Sequence, residues 1–292
     1  MNRISRRSWM GAAATAVAGV RRGWSAKFIR PIGVQLYTVR NVLPAEAEPT
    51  LRAIAEIGYR EVEIALADLP RLAPMLKEDR LMAVSCHIDT AMVTGASQGK
   101  PPAMTLTAAI DEVKKYGLRY VVMPYIRPED RGSGDFYREL TDKMNRAGEQ
   151  CRAAGLQFCY HNHAFEFKGE KGQRPIDIML QRLDPKDVGL EMDVFWVSVA
   201  GNDPVEMLNQ NKGRVPLLHL KDKQRGATVQ YEEKLKPEVF KEVGSGSLDF
   251  PAILRAAEGA GVQHYFVEQD QTPGAPVASL KQSYEYLRGL TI

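Results

Sequence analysis

The chain has 292 residues, 44% hydrophobic and 26% charged, which supplies one sizeable core and excludes a disordered polar chain. The net charge of +3 comes from the first 30 residues, where Arg3, Arg6, Arg7, Arg21, Arg22, Lys27 and Arg30 have no acid among them. The remainder is slightly acidic, which speaks against a nucleic-acid binder, and three cysteines without a CxxC pair speak against a disulfide framework or a zinc knuckle.

Ser5-Arg6-Arg7-Ser8-Trp9-Met10 precedes a short apolar, small-residue run, Gly11 to Val20, and Trp24-Ser25-Ala26 closes the segment. A basic start, a short apolar stretch and a small-residue end read as an export signal, and the arginine pair resembles a twin-arginine signal. The apolar run is about ten residues, half of the roughly 20 that span a bilayer. Residues 1–26 are therefore expected to engage the twin-arginine translocation machinery and be cleaved near Ala26. Residues 27–292 would then work in the periplasm or outside the cell, or stay membrane-anchored if the signal is retained.

Beyond the signal, strand-like and helix-like runs alternate. Ile32 to Thr38 reads as a first strand, and Leu51 to Ile57 has helical spacing and stops at Gly58. Glu61 to Ile64 reads as a strand and Leu69 to Lys77 as a helix. Leu81 to Cys86 is the third strand and ends at His87. A Gly/Pro loop over 89–102 leads to a helix from Met104 to Tyr116. Tyr120 to Met123 is the fourth strand. A long helix follows, Phe136 to Ala154, closed by Gly155.

Strand five, Leu156 to Tyr160, runs into His161, His163 and Glu166. Helix Pro175 to Arg182 precedes strand six, Val188 to Met192, which ends at Asp193. Helix Pro204 to Asn211 precedes strand seven, Val215 to Leu218, which ends at His219. The polar stretch from Lys223 to Glu242 is the longest irregular piece. Helix Pro251 to Ala260, strand eight from Tyr265 to Glu268 and helix Val277 to Leu287 finish the chain. Cys86 and Cys159 fall inside strands and are expected to act as small buried hydrophobes.

Eight apolar strands, each followed by a helix, predict a single-domain (β/α)8 TIM barrel. A doubly wound open sheet would want a glycine-rich turn after strand one, and Tyr37-Thr38-Val39-Arg40-Asn41 offers none. The active site of a TIM barrel lies at the C-terminal ends of its strands. Gln35, Tyr37, Glu63, His87, His161, His163, Glu166, Asp193, His219, Lys221 and Glu268 fall there, and only His264 of the five histidines does not. Imidazoles mixed with carboxylates suit a divalent transition metal, which can chelate a polyol and offset the charge formed when a neighbouring C–H proton is removed. Glu191 shares a strand face with Asp193 and is expected to support it or to pair with a cation. Gly244-Ser245-Gly246 is either an anion cradle or a plain turn.

Several runs together resemble the xylose-isomerase-like TIM barrel superfamily of sugar (phosphate) isomerases and epimerases, inosose dehydratases and endonuclease-IV-type nucleases. They are Ile32-Gly33-Val34-Gln35-Leu36-Tyr37, Tyr160-His161-Asn162-His163, Met192-Asp193, Leu218-His219-Leu220-Lys221-Asp222, Val243-Gly244-Ser245-Gly246 and Phe266-Val267-Glu268. The resemblance implies a metal held by a strand-five carboxylate with Asp193, His219 and Glu268. Its strand-five glutamate is replaced here by His161, so Glu166 is expected as the ligand, with His161 as the alternative. Among the strand-end groups, His161, His163, Glu268 and Lys221 are the expected catalytic groups and Gln35, Tyr37, Glu63, His87 and Trp196 the expected substrate contacts; Glu63 could instead be a solvated acid or pair with Lys221, His87 be a hydrogen-bonded core histidine, and Trp196 pack in the core.

Manganese is the foremost metal, with zinc, cobalt, iron or magnesium as alternatives. The expected partner is a small carbohydrate or polyol, with no nucleic acid, and a homo-oligomer is left open. The leading expectation is isomerisation or epimerisation by α-proton abstraction. The alternatives are a lyase or dehydratase of 3-keto sugars or inososes, suggested by the His161/His163 pair, and a carbohydrate-binding barrel without turnover.

Overall fold

A computed structural model describes residues 30–292; the expected signal, residues 1–26, lies outside the described residues. Eight parallel strands close into a barrel: β1 (Gly33–Gln35), β2 (Glu61–Ala65), β3 (Met82–His87), β4 (Tyr120–Met123), β5 (Gln157–His161), β6 (Val188–Asp193), β7 (Leu217–Leu220) and, after a two-stranded insertion, β10 (His264–Val267). The insertion pairs β8 (Asp222–Lys223) antiparallel with β9 (Phe240–Lys241), and it occupies the stretch expected to be irregular. The helices are α1 (Leu43–Ile57), α2 (Leu69–Glu78), α3 (Ala91–Thr94), α4 (Leu106–Lys115), α5 (Gly134–Ala153), α6 (Pro175–Arg182), α7 (Val194–Val199), α8 (Pro204–Gln210), α9 (Phe250–Ala260) and α10 (Pro276–Gly289). Among the described residues no helix is long and apolar enough to cross a membrane.

Two apolar clusters hold the barrel. The larger lies between strands and helices. The smaller, Val84, Tyr120, Val122, Cys159, Leu217 and Phe266, fills the barrel itself. Gly33 is required there, because a Cβ on it would lie 2.6 Å from Cδ1 of Phe266. Cys86, Cys151 and Cys159 are buried free thiols. His264 sits at the opposite end from the site. Its Nδ1 is 2.8 Å from Glu61 Oε2 and its Nε2 is 2.6 Å from Arg119 Nη2.

Several elements depart from the sequence reading, among them α3, a short helix within the stretch 89–102 expected as a loop. The first strand is three residues rather than seven, because the Gln35 side chain accepts from the backbone N–H of Tyr37 and turns Leu36–Val39 into a 3-10 helix. The first helix begins at Leu43, eight residues early, with Pro44 in its first turn and a kink at Glu46. An unexpected helix, α7, follows β6 directly. Its Asp193 cap accepts from the Trp196 N–H at 3.0 Å, and its six residues are buried all round, which hides helical periodicity.

Candidate active site

Because strand side chains alternate, residues two apart on one strand point to the same side. Glu61 and Glu63 on β2, Glu191 and Asp193 on β6, and His219 followed by Lys221 after β7 thus form successive levels along the barrel axis. The upper level meets a cavity of about 1130 Å³ at the C-terminal rim, lined among others by His87, His161, His163, Trp196, Lys221, Glu268 and Asp270.

His161, Asp193, His219 and Glu268 bring one ligand atom each within 4.8 Å of one another, and all four are buried. His161 Nε2 lies 3.7 Å from Asp193 Oδ2, and His219 Nδ1 lies 4.0 Å from Asp193 Oδ2 and 2.8 Å from Glu268 Oε2. Ligands about 2.0–2.2 Å from one tetrahedral ion are separated by about 3.3–3.6 Å; the 3.7 Å spacing lies close to that range, the 4.0 Å spacing above it, and the 2.8 Å pair is hydrogen-bonded. The second nitrogen of each ring meets a deeper carboxylate. His161 Nδ1 is 3.1 Å from Glu191 Oε2, and His219 Nε2 is 2.7 Å from Glu63 Oε1. An imidazole flanked by carboxylates on both sides needs a cation or a second proton on one of them. The donor chemistry and the grouping of four buried ligand atoms suit a divalent metal at this place.

Glu166, expected as the strand-five ligand, stands apart from this group of four. Glu166 lies in a 3-10 turn after β5, where it accepts from Tyr160 Oη at 2.5 Å and from the backbone N–H of His163 at 2.9 Å. Burial pushes its carboxyl up to about 8. His161 stands with Asp193, His219 and Glu268 instead.

Gln35 and Glu63, expected against the substrate, lie deeper. Glu63 is fully buried and meets Gln35 Nε2 at 2.7 Å, Ser85 Oγ at 2.5 Å, His87 Nε2 at 2.9 Å and His219 Nε2. Gln35 lines only a side cavity of about 120 Å³. Tyr37, His87 and Trp196 do line the main cavity. Burial disfavours a charged His87, but Glu63 and Glu191 outweigh it and raise its pKa to about 10.

Lys221 reaches Asp193 Oδ2 at 3.0 Å, Glu268 Oε2 at 2.7 Å and Asp270 Oδ2 at 3.2 Å. Burial opposes its charge, yet Asp193, Asp270 and Glu268 hold its pKa well above the ordinary lysine value. It is an ammonium in this site. His163 contrasts with it. Burial, then Lys221, lowers its pKa well below the ordinary histidine value, so the ring is neutral. Its Nδ1 and the Nε1 of Trp196 are buried without a hydrogen-bond partner among the described residues.

Asp270 was missed by the sequence reading. Burial first, with Glu268 and Asp193 adding to it against Lys221, raises its carboxyl to about 6. The available signal was its spacing of two from Glu268. The Gly244–Gly246 turn resolves as a cradle for an internal anion. Backbone N–H groups of Lys223, Gly244, Gly246, Ser247 and Leu248 all donate to the Asp222 carboxylate at 2.8–3.1 Å.

The family model described as "Xylose isomerase-like TIM barrel" matches residues 51–290. The chain belongs to that family. Among related chains, an inosose dehydratase of Geobacillus thermodenitrificans (strain NG80-2) is 30% identical over 159 residues, 51% of this chain and 53% of the relative. This chain thus matches about half the length of the first such relatives. Among solved structures of the fold, a sugar phosphate isomerase/epimerase from Parabacteroides distasonis ATCC 8503 superposes with a TM-score of 0.72 at 23% identity, covering 94% of this chain and 98% of that one. The IolI protein, solved with a zinc atom bound, superposes with a TM-score of 0.66 at 15% identity, covering 88% and 96%. These solved neighbours share the fold, and in this chain the four-residue group could hold a divalent metal.

Proposed function

We propose that this chain is a metal-dependent carbon–oxygen lyase that acts on a keto sugar or an inosose. The observation that carries the reading is His163, a neutral imidazole in the cavity wall, set beside the four-ligand group and the Lys221 ammonium. One site thus offers a neutral imidazole that can take up a proton and a fixed cation, which elimination next to a ketone needs. The similarity to inosose dehydratase supports the same direction.

In the proposed step, His163 takes the proton from the carbon beside the ketone. The electron pair of that C–H bond becomes the new C=C bond. The C–O bond on the next carbon breaks, and its oxygen takes the proton now carried by His163 and leaves as water or an alcohol, which returns the ring to its neutral form. Lys221, held between Glu268 and Asp270, donates hydrogen bonds to oxygens on which negative charge builds. His161, Asp193, His219 and Glu268 would hold a divalent ion that supplies further positive charge there. Two imidazoles with two carboxylates suit manganese, zinc, iron or cobalt.

Isomerisation or epimerisation shares the first proton abstraction and is the second reading. Asp270, with its carboxyl raised to about 6, offers the second proton-exchanging group that it requires. Incubating the metal-loaded protein with an inosose or a 3-keto glucoside in deuterated water separates the two. Elimination gives a conjugated ketone, read by ultraviolet absorbance, with release of water or alcohol. Epimerisation gives a deuterated ketone with no unsaturation. Neither product from either substrate would overturn both readings.

A further inference from the structure

The rim of the cavity is divided by the barrel order. Strands β5, β6, β7 and β10 are neighbours and carry the metal-type ligands, His163, Lys221 and Asp270. Strands β1 to β4 form the other half, and the segments after them line the same cavity with Tyr37, Leu66, Pro70, Met92, Met104 and Tyr125. His87, Asp89 and Glu112 are the charged or ionisable groups on that half. His87 is bound to Glu63 and Glu191, Asp89 accepts from the Ala91 N–H, and Glu112 pairs with Lys115.

Two further observations bear on that wall. Among the described residues, four large hydrophobic side chains are exposed, Tyr37, Met82, Met104 and Val229, and two of them stand in this cavity. Apolar surface left open to water in a concave site marks contact with a ligand. Moreover, the volume of about 1130 Å³ exceeds the roughly 300–1,000 Å³ that holds a drug-sized molecule, so one sugar ring leaves most of it empty. Tyr37 is held in place by the Arg40 guanidinium, 4.0 Å above its ring, and Arg40 is itself anchored on the Asp270 carbonyl at 2.7 Å.

We propose that the substrate is an amphipathic glycoside, with its sugar ring at the polar half and an aromatic aglycone on the Tyr37–Met92–Met104 wall. Methionine sulfur and tyrosine rings both favour an aromatic partner over an aliphatic one. The inference deepens the proposed function and rests on the sugar binding at the four-ligand end of the cavity. The aglycone, rather than a hydroxyl, then becomes the group that carries the contact energy.

Calorimetric titration of the metal-loaded protein with methyl β-glucoside, 4-nitrophenyl β-glucoside and free 4-nitrophenol tests this without turnover. The aryl glucoside is expected to bind about tenfold or more tightly than the methyl glucoside, the gain from burying one ring. In Met92→Glu/Met104→Glu that ratio falls to within about twofold, while thermal unfolding confirms a folded chain. Equal binding of the two glucosides, a preference that survives the double substitution, or free nitrophenol binding as tightly as its glucoside would each overturn the proposal. Because binding is read directly, lack of elimination sinks the lyase reading and leaves this result standing; turnover of a plain inosose with no aryl preference does the reverse.

Discussion

His219 and Glu63 meet through a 2.7 Å contact between Nε2 and Oε1 beneath the site. Glu63 thereby takes up the ring nitrogen that points away from Asp193 and Glu268, and it leaves Nδ1 to face them. Glu191 does the same for His161 through Nδ1. Carboxylates that orient ligand imidazoles in this way are worth about 10–100-fold in metal affinity. Glu63→Gln and Glu191→Gln are therefore expected to weaken metal binding by about that factor, measured by competition with a chelating dye. Affinity unchanged in both variants would deny them this role.

Metal content should separate the two strand-five candidates. Asp193→Ala and Glu268→Ala are expected to lose the ion, read by mass spectrometry of the purified protein. Glu166→Gln is expected to keep it, because its carboxyl faces Tyr160 and the His163 N–H instead. Loss of the ion in the folded Glu166 variant would return that residue to the ligand set.

His163→Asn preserves much of the side-chain volume and removes the proton acceptor. The expected loss in kcat is about 10²–10⁴-fold, the usual weight of a general base, with metal content intact. A variant that keeps wild-type kcat would move the base elsewhere.

Gly246→Ala is expected to destabilise the fold by about 1–3 kcal/mol in denaturant titration. A Cβ there would lie 2.3 Å from both Asp222 Oδ1 and the Lys223 carbonyl oxygen. Asp222→Asn should act in the same direction, since an amide presents one accepting oxygen where a carboxylate presents two.

The Arg174–Asp177 pair predicts an acid-sensitive element at the start of α6. Burial would raise the Asp177 carboxyl, but the Arg174 guanidinium and the backbone N–H of Gly172 outweigh it and lower the pKa. A carboxylate lowered in the folded state contributes stability above its unfolded value, about 3.9, and loses it as the pH falls through the lower native value. Asp177→Asn should therefore cost stability at neutral pH and flatten the dependence below about pH 4, measured as unfolding midpoints across that range.

The barrel and the ring of strand-end groups were legible because alternation in a strand is a property of local sequence. His161, Asp193, His219 and Glu268 each close an apolar run, and the structure brings them together. Depth along the barrel axis was not legible. Glu63 and Asp193 look equivalent as strand-end acids, yet Glu63 lies one level down, beneath His87 and His219. Direction was not legible either: distance along the chain does not report it, and a 3-10 turn points the Glu166 carboxyl at Tyr160. Asp270 lies past the end of β10, where alternation no longer guides the eye.

The Asp222 cradle has a bearing on selectivity by charge. In TIM barrels, backbone N–H groups in the loops after the seventh and eighth strands frequently hold a phosphate. Here the corresponding loop already carries a tethered carboxylate on five N–H groups. A phosphorylated sugar would have to compete here with an anion of the protein's own at high effective concentration, so phosphate at this position is expected to bind weakly.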